Sequence, residues 1–151
     1  MEPTDLGQVY REGVTILLLV DDDPRHANLQ DAFLRRHPES VVIKPIPGDG
    51  DAATRTCAAI NLVSPLPPLV IVATGSAALT LPAVARSQSA QHRRTQEYVL
   101  LDPDLPAVSD TWPDARVTVV CDADSEASIQ ARLRGWDLLE LEEVHHWESS
   151  G

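Results

Sequence analysis

Thr15-Ile16-Leu17-Leu18-Leu19-Val20 runs directly into Asp21-Asp22-Asp23-Pro24, and this junction decides the fold. Five consecutive apolar residues after Thr15, without alternation, suit a strand covered on both faces, not one with a wet side. The acidic triplet and Pro24 end it. Leu29, Ala32 and Phe33 then recur at helical spacing until His37-Pro38 closes the segment. A buried strand followed at once by a helix is the first half of a parallel crossover unit.

Working outward, the unit repeats. Val41-Val42-Ile43 reads as a second strand, and Gly48-Asp49-Gly50-Asp51 as a turn. Ala53, Cys57 and Ile60 share one face of the helix that follows. A proline-rich connection, Ser64 to Pro68, leads to a third block at Leu69-Val70-Ile71-Val72. The chain then turns through Ala73-Thr74-Gly75-Ser76-Ala77-Ala78 into a helix predicted over 77–88, with Pro82 in its first turn or kinking it. Tyr98 to Leu101 and Val117 to Val120 are further buried strands. Ser125 is placed to cap a helix whose Ile129, Leu133 and Trp136 are expected to face inward, and Leu138 to Leu141 reads as a last strand. The pattern predicts an α/β fold, a mostly parallel sheet with helices on both faces, whose ligands gather beyond the carboxyl ends of the strands.

With 151 residues the chain has room for one domain, which buries roughly 70% of its unfolded surface. The expected boundaries are an N-terminal extension at 1–13, the α/β domain at 14–147 and a tail at 148–151. Twelve Lys and Arg against 23 Asp and Glu give a formal charge of −11, which repels a nucleic-acid backbone or an anionic membrane, so neither is expected as a partner. His92, Arg93 and Arg94 read as a solvated helix end. Cys57 and Cys121 are too few for a disulfide framework, and no apolar run approaches the ~18 residues of a membrane span. The expectation is a soluble cytoplasmic protein. No glycine-rich phosphate fingerprint occurs, and no cofactor is expected.

One constellation stands out for chemistry: Ser76 at a strand-to-helix turn, Asp124 after a later strand, and His145-His146 after the last. A serine hydroxyl becomes a nucleophile only when an imidazole takes its proton, and a carboxylate must orient that imidazole. In this order the chain resembles the α/β-hydrolase superfamily over roughly residues 15–147, without that fold's first antiparallel strands and without a lid. Thr74-Gly75-Ser76-Ala77-Ala78 lies at the nucleophile-elbow position, with Thr74 and Ala78 where the family motif has glycine. The resemblance implies Ser76, Asp124 and His145 or His146 as catalytic residues. Ala77, Thr74, Asp22 and Trp147 would form the oxyanion and binding surroundings. A second register puts Gly75 at the nucleophile position and leaves no nucleophile. The same residues also read as structure alone, with Ser76 capping a helix, Asp124 opening another and the histidines in a solvated tail.

The opening Leu18 to Pro24 also resembles a response-regulator receiver, a family that holds Mg²⁺ with paired acids at this place. The third strand, however, ends without a carboxylate to accept phosphate, and no Lys-Pro follows Val117 to Val120. No metal and no phosphorylation are expected. The expected protein is therefore a pared-down α/β-hydrolase-like domain that acts as a binding or interaction module, or as a tailoring enzyme with weak Ser76-dependent acyl chemistry. The alternatives are an active serine esterase or thioesterase and a receiver-like signalling domain. A small-molecule or acyl ligand and a homodimer covering the edge left by the missing strands are the expected partners.

Overall fold

The computed structural model of the chain describes residues 13–108 and 112–141. Its strands are β1 (Thr15–Leu19), β2 (Val41–Ile43), β3 (Leu69–Thr74), β4 (Thr95–Leu101), β5 (Arg116–Cys121) and β6 (Asp137–Glu140). The helices are α1 (Ala27–Arg36), α2 (Ala52–Val63), α3 (Leu81–Ala90) and α4 (Glu126–Leu133). Two 3₁₀ segments, Pro24–His26 and Gly75–Thr80, lead into α1 and α3.

All neighbouring strands pair in parallel, in the order β2-β1-β3-β4-β5-β6. The strands are two-sided, as their unbroken apolar runs predict. Leu17, Leu19, Leu69, Ile71, Tyr98, Leu100, Val117 and Val119 point to one core, where they meet α2, α3 and α4. Ile16, Leu18, Val70, Val72, Val99, Leu101 and Val120 point to the other, against Phe33, Leu29 and Leu34 of α1. All six residues of β3 are buried, which places this strand at the centre of both cores.

Local chemistry sets the helix starts. Asp23 accepts a hydrogen bond from the Arg25 N–H, Asp51 from that of Thr54, and Ser125 from that of Ser128. Pro82 lies in the first turn of α3. A proline ring there cannot follow a preceding α-turn, so the chain leaves β3 as a 3₁₀ segment and becomes α-helical only at Leu81.

The inward face of α4 differs from the sequence expectation. Its buried residues are Ala127, Ser128 and Ala131, while Ile129 and Leu133 are 47% and 75% exposed. Small side chains let this short helix lie close on β5, and the larger apolar ones then fall on the opposite side. Trp136, beyond the helix, is half-buried and meets the buried Trp112 edge-on at 5.5 Å. Among the described residues no helix is long and apolar enough to cross a membrane.

A receiver shares the order 2-1-3-4-5. Here β6 follows α4 and extends the sheet beyond β5, where a receiver would end on a helix. Two substitutions test the packing by urea unfolding. Phe33→Ala, at the largest side chain between α1 and the sheet, is expected to cost about 3–5 kcal/mol, and Leu133→Ala no more than about 0.5 kcal/mol.

Candidate functional site

The connection from β1 leaves toward β2 on one side, and the chain then crosses β1 to lay down β3 on the other. The crevice between the carboxyl ends of β1 and β3 is thus the topological switch point, where an open parallel sheet takes its ligands. Asp21 follows β1 there, Thr74 ends β3, and Asp102 follows β4 from the far side.

The centre of the site is His26. Its Nδ1 lies 2.8 Å from Asp21 Oδ2 and its Nε2 lies 3.2 Å from Asp102 Oδ2. The side chains of His26 and Asp21 are 7% and 4% exposed, that of Asp102 44%. A buried carboxylate needs a full set of donors, and Asp21 has one. Gln30 Nε2 donates to Oδ1 at 3.2 Å, the Thr74 hydroxyl to Oδ1 at 3.3 Å, and the Ser76 backbone N–H to Oδ2 at 3.3 Å. Thr74 Oγ1 in turn accepts from Gln30 at 2.8 Å and from the Asp21 N–H at 3.2 Å. Burial alone would lower the His26 pKa, but hydrogen bonds to and the charges of Asp21 and Asp102 outweigh it, and the imidazole is held above its ordinary range.

The turn after β3 depends on Gly75. Its φ is +50°, and a Cβ there would overlap the Asp21 carboxylate and come within 2.5 Å of His26 Cε1. In a nucleophile elbow the nucleophile occupies the strained strand-to-helix turn, and the following N–H serves the oxyanion. Here Gly75 holds the positive-φ position, and the following N–H, that of Ser76, is occupied by a carboxylate.

Ser76 itself is exposed in the first 3₁₀ turn. Thr74 is buried in the Asp21 network, Asp22 is exposed, and Ala77 is half-buried against the core with its carbonyl accepting from Thr80. Asp124 is exposed in the turn after β5, one strand beyond β4, where Ser125 bonds back to the Asp122 carbonyl. His145, His146 and Trp147 lie outside the described residues. The network that does converge, Asp21, His26, Gln30, Thr74 and Asp102, was marked in the sequence only by the positions of Asp21, Thr74 and Asp102 at strand ends. No motif points to His26 or Gln30.

Asp21, Asp23 and His26 place donor atoms within 4.8 Å of one another, but each is already engaged. Arg25 pairs with Asp23 at 2.6 Å, and its hydrogen bonds hold that carboxyl down at about 2. Both His26 nitrogens face carboxylates. A positive charge is supplied from within the protein.

No protein-family model matches the chain, and no curated protein matches its sequence. Solved structures do resemble it. A protein from Pectobacterium atrosepticum described as a YdeN-like hydrolase is 20% identical with a TM-score of 0.59, over 91% of this chain and 82% of its own. The NocB thioesterase domain, solved as a covalent complex with a fluorophosphonate nocardicin G analogue, is 17% identical with a TM-score of 0.50, over 85% of this chain and 83% of its own. These likenesses are at the level of fold: the parallel sheet with its covering helices is shared with these two structures.

Two outcomes follow from the geometry. Gly75→Ala, which adds one methyl group at a positive φ against two buried polar side chains, is expected to lower unfolding stability by at least about 1–3 kcal/mol in urea titrations. Isothermal titration with Mg²⁺ is expected to show no specific site at millimolar concentration. A tight single-site isotherm lost in Asp23→Ala would reverse that expectation.

Proposed function

We propose that this chain is a hydrolase-fold binding or interaction module in which serine-based acyl transfer is absent or weak. The observation that carries the reading is the Asp21 carboxylate on the Ser76 N–H, beside a glycine at the strained turn. Acyl transfer builds negative charge on the substrate oxygen, and a catalyst meets it with free N–H donors. A carboxylate on that donor opposes the charge, and losing one such donor costs about 10²–10³ in turnover. If Ser76 acts as the nucleophile instead, its donor is the Ala77 N–H, and Asp21 still lies one residue away. The ligand we propose is a small molecule or acyl group held at the carboxyl ends of β1, β3 and β4.

The test combines a reactivity probe with a binding probe. A serine-reactive fluorophosphonate is expected to label the parent no more than Ser76→Ala, and activated short-chain esters to turn over near background. An acyl-N-acetylcysteamine thioester is expected to shift the backbone amide resonances of residues 74–78 and of Asp102 and Asp104 without being hydrolysed. Labelling and turnover abolished in Ser76→Ala and in the His145→Ala/His146→Ala double variant would overturn the reading in favour of an active esterase or thioesterase using Ser76, Asp124 and a histidine.

A further inference from the structure

We propose that His26 is a proton-operated latch: its imidazolium pins Asp102, and with it the loop after β4, beside the Gly75–Ser76 turn, and loss of the proton frees Asp102 while leaving Asp21 in place. The argument begins with donors and acceptors. Both ring nitrogens face carboxylate oxygens, at 2.8 Å and 3.2 Å. An ionised carboxylate only accepts, and a neutral imidazole has a single N–H. Only the imidazolium serves both partners. After deprotonation one carboxylate faces a ring lone pair, and that contact becomes repulsive.

Burial decides which contact breaks. Asp21 is 4% exposed and is held by Gln30, Thr74 and the Ser76 N–H, so it keeps the remaining imidazole proton. Asp102 is 44% exposed, and water replaces the imidazole there at little cost. Two residues on, the Asp104 N–H donates to the Gly75 carbonyl at 3.1 Å, which ties this loop to the turn after β3 and reports on the latch.

The surrounding charges favour the closed, protonated form. Asp23, capping the 3₁₀ segment that carries His26, pairs with Arg25 and also favours the imidazolium, while Arg25 also faces the charges of Asp102 and Asp104. The loop after β1 supplies Asp21 and Asp22, the loop after β4 supplies Asp102 and Asp104, and Asp122 follows β5. The turn after β3 and the start of α1 present uncharged Gly75, Ser76 and Gln30. Because the His26 pKa is raised in the folded state, the latch contributes fully below the ordinary value of 6.5 and is lost as pH rises through the higher, folded value.

The experiment reads the His26 ring nitrogens by NMR across pH 5 to 9, with amide hydrogen exchange at each end corrected for its intrinsic pH dependence. In the parent, exchange at Asp104 is expected to accelerate several-fold as His26 loses its proton. In Asp102→Asn, whose side chain is half-exposed, the His26 midpoint is expected to fall because one carboxylate no longer stabilises the cation. In His26→Gln, exchange at Asp104 is expected to be fast at both ends. An unmoved His26 midpoint in Asp102→Asn overturns the proposal, as does pH-dependent opening that survives in His26→Gln. If His26→Gln does not fold, the Asp102→Asn midpoint decides. No readout uses an acyl ligand, so the latch stands or falls separately from the proposed function.

Discussion

A carboxylate buried at the end of a central strand carries a desolvation cost of several kcal/mol unless its neighbours replace the lost water. Asp21 is in this position, two residues past the end of β1 and beside the crevice made by the strand order. His26, Gln30, Thr74 and the Ser76 N–H meet that requirement from four separate segments. Each is drawn in by the same charge. The 3₁₀ segment folds back so that His26 reaches Asp21, the β3 end is aligned by Thr74, and the turn beyond it is fixed by the Ser76 amide. His26 then carries the constraint outward to Asp102. Removing any one donor leaves part of a buried charge unmatched, so the network behaves as a unit.

Much of the fold was legible because its physical cause is local. A strand covered on both sides must be apolar at every position, and the blocks at Thr15, Leu69 and Val117 show this without alternation. Caps and breakers are local too, and Asp51, Ser125 and Pro82 sit at the helix starts that their chemistry favours. The orientation of α4 was less legible. Hydrophobicity marks Ile129 and Leu133 as core, whereas close approach to the sheet selects Ala127 and Ala131, and only the tertiary spacing decides between them.

The site was least legible because its members converge through topology. His26 and Asp102 are 76 positions apart, and Thr74 and Asp21 are 53 apart. Nothing in spacing joins them. The two registers around Ser76 differ by one residue, and sequence could not choose which residue takes the strained turn. Backbone geometry distinguishes them, since the positive φ falls on Gly75. That residue type is also the one the space permits, because Asp21 and His26 fill the volume a side chain would need.

The electrostatic sense of this site is therefore coupled to its sterics. In acyl-transfer chemistry the switch-point turn presents a side chain and an open N–H to a developing anion. In this chain the absence of a side chain at Gly75 is what lets a carboxylate and an imidazole close over the turn, and the carboxylate then takes the N–H. The two features support each other. A serine placed at position 75 alone would collide with Asp21 and His26, and removing Asp21 alone would leave His26 without its buried partner. Changing the character of the site requires the turn, the β1 loop and the histidine to change together, although the sheet beneath them stays the same. The fold fixes where the crevice lies, and Asp21, Gly75 and His26 set the charge and the space at its floor.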